Sequence, residues 1–298
     1  MTKPEFLKPG DKIAITATAR KITPEEILPA IILLNEWGLN PVIGASIGKE
    51  FNQFAGTDEQ RAEDFQQLLD NPDIKAIWCA RGGYGTVRII DQIDFSEFKK
   101  SPKWIIGYSD VTVLHSHINN LGFSTLHAQI AHNINTKSDA TRESLQKALF
   151  GELKNYTFPT SEKHRIGKVK GEIIGGNLSM LYSLMGSPSD IKTDGKILFL
   201  EDLDEYLYHI DRMLMNLKRN GFFENLKGLI VGGMSDMNDN PIPFGKSAEE
   251  IIWDTVIEYD FPVIFNFPAG HIEDNRALMM GSEIELEVLE QNTTLLFL

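Results

Sequence analysis

The stretch KWIIGYSDVTVLHSHI, residues 103–118, reads as a buried strand, a tight turn and a helix. Trp104, Ile105 and Ile106 make a continuous apolar run, which suits a strand covered on both faces. Val111, Leu114, Ile118 and Leu121 then recur at helical spacing until Gly122 stops the run. Ser109 sits at the junction. Two roles compete for it: a helix N-cap, common for serine, and a nucleophile raised on a sharp strand-to-helix turn. The familiar elbow is Gly-x-Ser-x-Gly. Here the second glycine is missing and Asp110 follows the serine. The segment alone favours the cap.

Working outward, the same strand–helix alternation fills the first half. Apolar strands are predicted at 12–18, 40–46 and 74–80. Thr23-Pro24-Glu25-Glu26 opens a helix with a cap, a first-turn proline and a capping-box glutamate, and Gly38 closes it. Pro29 inside it is expected to distort it. Thr57 or Asp58 opens the next helix, with Ala62, Phe65, Leu68 and Leu69 on one face. Such alternation means a parallel sheet with helices on its faces. A polar stretch at 151–170, with a proline and two glycines, is read as an interdomain crossing. Beyond it, strands outnumber helices, and 283–298 alternates like a terminal hairpin. The expected architecture is α/β: a Rossmann-like parallel-sheet domain over 1–155 and a strand-rich mixed α/β domain over 156–298.

Composition narrows the function. Charged residues sum to 29 positive and 42 negative, a net −13. An acidic surface repels phosphate backbones and there is no basic stripe, so no nucleic-acid partner is expected. No stretch approaches the ~20 apolar residues of a membrane span. The first residues, MTKPEFLKPGD, lack a signal peptide's apolar core, and a single cysteine, Cys79, excludes an internal disulfide. A soluble cytoplasmic protein is the expectation.

In a parallel sheet the turn after each strand faces the ligand-binding edge. Ser109 is therefore carried to that edge, and the N–H of Asp110 faces the same spot as the start of the helix. Asp110 is expected to contribute this backbone group rather than its side chain. Arg81-Gly82-Gly83-Tyr84-Gly85 follows another strand. It fits neither P-loop nor dinucleotide spacing, so a bare backbone N–H beside the serine is the plainer reading. A serine nucleophile needs a base. Among seven histidines, His115 and His117 are two apart on a helix and diverge, which argues against a metal site; no cofactor is expected. His271 stands after a strand with Gly270 before it, placed to reach across a cleft. Glu201 and Asp202 close the apolar strand ILFLED, and either could orient the imidazole.

These motifs, with Leu7-Lys8-Pro9-Gly10-Asp11, Ala55-Gly56-Thr57-Asp58, Arg61, Gly175-Gly176-Asn177-Leu178 and Ile210-Asp211-Arg212, resemble in order and spacing the L,D-carboxypeptidases of the muramoyltetrapeptide carboxypeptidase family, which includes microcin C immunity peptidases. The resemblance implies a serine peptidase with a Ser109–Glu201–His271 triad. Its oxyanion donors would be the N–H groups of Asp110 and of a glycine in the Arg81-Gly82-Gly83 turn, with Gly83 the preferred one, and its typical assembly a homodimer. It implies release of the terminal D-alanine from cytoplasmic murein tetrapeptides in peptidoglycan recycling. A peptidyl-nucleotide antibiotic is the alternative substrate, and a non-enzymatic binding module the further alternative. Arg81 and Tyr108 are the expected substrate contacts, and Arg88 is read as a structural partner. One departure stands out: the first strand runs into Ala17-Thr18-Ala19-Arg20 where the family often has a Pro-Ser turn.

Overall fold

The computed structural model describes residues 1–298. The first half builds β1 (Lys12–Thr16), α1 (Pro24–Glu36), β2 (Asn40–Ile43), α2 (Asp58–Asp70), β3 (Ile74–Cys79), α3 (Ser96–Lys100), β4 (Trp104–Gly107), α4 (Thr112–Asn120), β5 (Thr125–His127) and α5 (Asp139–Leu149). The second half builds β6 (Asn155–Pro159), β7 (His164–Arg165), β8 (Gly167–Asn177), α6 (Leu178–Leu184), β9 (Ile197–Leu203), α7 (Leu207–Arg219), β10 (Gly228–Ser235), α8 (Ala248–Val256), β11 (Val263–Ile264), β12 (Leu278–Met280), β13 (Glu283–Val288) and β14 (Asn292–Phe297). No helix is long and apolar enough to cross a membrane.

The strands form two mixed sheets in an α/β fold. The first has the order β12-β5-β4-β3-β1-β2. Its strands β1 to β5 are parallel and only β12 is antiparallel. The order 2-1-3-4-5 is one of the two common doubly wound arrangements, and its crevice opens between the carboxyl ends of β1 and β3. The second sheet has the order β6-β14-β13-β8-β9-β10-β11-β7. Strands β8 to β11 are parallel, and antiparallel strands flank them on both sides.

Local chemistry explains the well-read elements. Thr23 and Thr57 both complete capping boxes, with Glu26 and Gln60. Helix α1 runs unbroken through Pro29. The segment 151–170, read as a crossing, is instead largely strand. Strand β6 pairs only with β14, and two-residue β7 only with β11, each at an edge of the second sheet. Edge strands are solvated along one side and tolerate proline, so their composition imitates a linker. Strands β5 and β12, three residues each, and helix α5 were not anticipated.

The two sheets share one core. A buried apolar cluster runs from Ile13, Trp78 and Trp104 through Phe199 and Phe267 to Leu295. Helix α4, which follows the serine, abuts the end of β8. There the Thr112 hydroxyl accepts the Asn177 N–H at 3.1 Å, and a Cβ on Gly176 would lie 2.5 Å from that oxygen. The carboxyl ends of β4 and β9 are thereby brought together.

Candidate active site

Strand β4 ends at Gly107 and the chain turns at once, with Val111 N–H donating to Tyr108 O at 3.2 Å. A Cβ on Gly107 would lie 2.7 Å from Val111 Cγ2, so only glycine permits so close a turn. Ser109 adopts φ +65°. That left-handed conformation costs an L-residue roughly 1–2 kcal/mol. The serine hydroxyl caps neither the short 3₁₀ turn at 109–111 nor α4. The cap favoured by the local sequence gives way to a strained, half-buried serine standing clear of its helix.

The glycine turn after β3 lies directly against it. A Cβ on Gly82 would sit 3.2 Å from Ser109 Cβ, 3.4 Å from Oγ and 3.6 Å from the Asp110 nitrogen. The buried Asp110 side chain joins the two turns, accepting the Thr86 N–H at 2.9 Å. This corrects the expectation that only its backbone matters. Burial pushes its carboxyl up, and bonds from Thr86 offset only part of that. Arg61, fully buried in α2, pins the same turn. Its guanidinium donates to Thr18 O at 2.5 Å and to Gly85 O at 3.0 Å, and pairs with Asp58. Arg88 is structural as anticipated, donating to both Asp58 oxygens at 3.0 and 2.6 Å.

Glu201 and Asp202 are neighbours on β9, so their side chains leave on opposite faces. Asp202 turns to α6, accepting from Asn177 Nδ2 at 2.9 Å and Ser179 N–H at 2.8 Å. Burial first, and the Glu201 charge second, push its carboxyl up to about 7. Glu201, fully buried, turns to His271. Its Oε2 accepts the imidazole Nδ1–H at 2.6 Å and the His271 backbone N–H at 3.1 Å. With Nδ1 donating, Nε2 keeps its lone pair for a proton. Burial opposes both charges. The ion pair outweighs it, so the Glu201 carboxyl falls below its ordinary range and the His271 imidazole rises above its own. The loop around His271 is fixed on both sides, by Gly270 N–H on Asn275 Oδ1 at 2.8 Å and Ser235 Oγ on His271 O at 2.8 Å. Gly270 is required here: at φ +107° a Cβ would lie 2.7 Å from both Glu201 Cβ and Oε2.

A buried carboxylate–imidazole pair, with Tyr108 of the strained serine turn packed on the imidazole at 4.7 Å, suits the chemistry of a serine hydrolase. Comparison with known proteins agrees. Residues 13–128 match the N-terminal domain, and residues 170–286 the C-terminal domain, of the LD-carboxypeptidases. The chain belongs to the LD-carboxypeptidase family. It is a serine-type carboxypeptidase by that membership, and the non-enzymatic alternative lapses. The probable murein peptide carboxypeptidase of Bacillus subtilis is 35% identical, over 98% of this chain and 94% of its own. The microcin C7 self-immunity protein of Escherichia coli is 26% identical, over 96% and 93%. The muramoyltetrapeptide carboxypeptidase of Oxalobacter formigenes superposes with a TM-score of 0.87 at 26% identity, over 96% of this chain and 98% of that one.

The two residues expected to contact substrate also have partners within the chain. Tyr108 is buried and packs its ring on that of His271, centroids 4.7 Å apart at 55°. Arg81 reaches Glu26 at 3.5 Å. His115 staples α4 to the first sheet through Gly107 O and Thr125 Oγ1, both at 2.9 Å, and burial pushes its imidazole down to about 3. His127, equally buried, sits edge-on to Phe199 at 5.0 Å and is pushed down to about 4, again by burial. Burial adds to the strand-end position that already set His271 apart from these two histidines.

Proposed function

We propose that the enzyme hydrolyses the L,D-amide of murein tetrapeptides and releases the terminal D-alanine, with Ser109, His271 and Glu201 as its triad. The observation that carries this reading is Glu201 Oε2 holding both N–H groups of His271 from a fully buried position. Ser109 Oγ attacks the carbonyl carbon while His271 Nε2 takes its proton. The tetrahedral oxyanion rests on the N–H groups of Asp110 and Gly83, where the two turns converge. The imidazolium, stabilised by Glu201, protonates the leaving amine, and the C–N bond breaks. Water, deprotonated by His271, then attacks the acyl ester and frees Ser109. Loss of one oxyanion donor in such a site costs about 10²–10³ in rate.

The nucleophile is assigned to residues 1–155 and the acid–base pair to 156–298, so catalysis depends on the packing of α4 against β8. The relatives named for murein peptides support the substrate. A second reading, a peptidyl-nucleotide substrate, has its own support. Exposed Tyr206 and Tyr208 stand 5.7 Å apart after β9 and would offer a platform for a base. Mass analysis after incubation with murein tri-, tetra- and pentapeptides and with an aminoacyl sulfamoyl adenosine decides between them. Loss of one alanine from the tetrapeptide alone supports the first reading, and cleavage of the nucleotide conjugate alone refutes it. A cytoplasmic homodimer goes with the first reading and is checked by fractionation and light scattering.

A further inference from the structure

An exopeptidase must hold the free carboxylate of the residue it removes. That carboxylate carbon lies only roughly 3–4 Å from the attacked carbonyl carbon, across the scissile nitrogen and one α-carbon. The cation must therefore stand next to the turns that hold Ser109. Four arginines approach the glycine turn, and three are committed. Arg61 is buried on Thr18 O, Gly85 O and Asp58. Arg88 grips Asp58, and Arg81 reaches Glu26.

Arg20 is the fourth. It is exposed, and its guanidinium makes no hydrogen bond or ion pair within the chain. Its side chain lies across the bare α-carbon of Gly83, with Cδ and Nε 2.6 and 2.7 Å from where a Cβ would be. The preceding residue, Gly82, is the one whose Cβ position lies 3.4 Å from Ser109 Oγ. Arg20 and Ser109 thus flank two consecutive residues of one turn. Arg20 also follows β1, while Gly83 follows β3, so it stands over the crevice where this strand order places ligands. Its base is held still: Ala17, Thr18 and Ala19 are buried, Thr18 O accepts from Arg61, and Ala19 O accepts the Ala55 N–H at 3.1 Å. Arg20 lies in the Ala17-Thr18-Ala19-Arg20 stretch where this chain departs from the family's Pro-Ser turn.

We propose that Arg20 binds the terminal carboxylate of the peptide, with the guanidinium fork taking both oxygens and restricting the enzyme to unblocked C-termini. This rests on the carboxypeptidase reading above. The test measures kcat/KM on murein tetrapeptide ending in free D-alanine and on the same peptide ending in D-alaninamide. Wild type is expected to favour the free acid. Arg20→Ala is expected to lose about 10- to 100-fold on the acid, the worth of a charge-assisted hydrogen bond, with the amide unchanged. Arg20→Lys should recover part of the loss, since an ammonium keeps the charge without the fork.

Lys137 is the competing cation, its Nζ held on Ile272 O at 2.8 Å beside His271. If Arg20→Ala keeps the preference while Lys137→Met abolishes it, the proposal is overturned and the carboxypeptidase reading stands. An equal fall on acid and amide overturns it as well, by showing a merely structural role. Failure of wild type to cleave either peptide overturns the reading, and this inference with it.

Discussion

Gly270→Ala tests the geometry on which catalysis rests without touching a reacting group. An alanine Cβ there would lie 2.7 Å from Glu201 Cβ and Oε2, against the 3.4 Å at which ordinary contact begins, an overlap of roughly 0.7 Å. The Glu201 side chain is fully buried and anchored in mid-sheet, so the His271 loop must yield. Two costs add: about 1–2 kcal/mol for a non-glycine residue at φ +107°, and about 1–3 kcal/mol for overpacking. A shift of such size in the base costs about 10²-fold in rate, because near-ångström misplacement is enough. Gly122→Ala supplies the control. Gly122 has φ +89° with nothing within 4 Å of its Cβ position, so that variant carries the backbone cost alone. Thermal unfolding and kcat/KM on the tetrapeptide are compared for both variants. Gly270→Ala should lose activity beyond its loss of stability, and Gly122→Ala should lose stability only. Wild-type turnover by folded Gly270→Ala would refute the claim that Glu201 and this loop set the position of the base.

Glu201→Gln removes the charge that holds the imidazole up. Burial then dominates, and the acid limb of kcat/KM should move to lower pH while kcat falls; an unmoved limb refutes the assignment. The same pair sets a stability window. Its contribution is complete between the ordinary values of 4.5 and 6.5, lost as pH falls through the lowered Glu201 value and as pH rises through the raised His271 value. The difference in thermal midpoint between wild type and Glu201→Gln should therefore peak in that window. Ser109→Ala and Ser109→Gly should both abolish turnover. Ser109→Gly should be the more stable of the two, since relief of about 1–2 kcal/mol of left-handed strain exceeds glycine's entropic cost of about 0.5–1 kcal/mol; the reverse order in urea melts would deny the strain. Asp110→Ala leaves the Thr86 N–H unpaired in the interior and should cost about 1–3 kcal/mol, with slower turnover as the glycine turn loosens. Asp110→Asn keeps an acceptor oxygen and should be mild, and equal effects from the two would refute the bridging role.

Local sequence already carried much of this. The GYSD and RGGYG turns follow strands of the first sheet, and the LED strand end and Gly270-His271 follow strands of the second; each parallel sheet carries its own turns to one edge whatever its strand order. A capping box marked the start of α1, and a cap at Thr57 or Asp58 the start of α2, because caps are satisfied within four residues. Most of the doubly wound half was legible for the same reason, local periodicity, whereas the three-residue strands β5 and β12 and helix α5 were not.

What depended on distant chain was decided only by tertiary structure. Whether Glu201 or Asp202 serves the imidazole turns on which face of β9 meets the 268–272 loop, and adjacent strand residues face opposite ways. The 151–170 segment looked like a linker because an edge strand is wet on one side, and its partners lie as far off as β14. Strand β12 joins the first sheet from near the far end of the chain. Arg88 was read as structural from sequence, but only the fold names Asp58 as its partner and leaves Arg20 exposed over Gly83. Motifs follow from neighbours in sequence, which fix backbone turns. Roles follow from partners in space, which fix where a charge or a lone pair points.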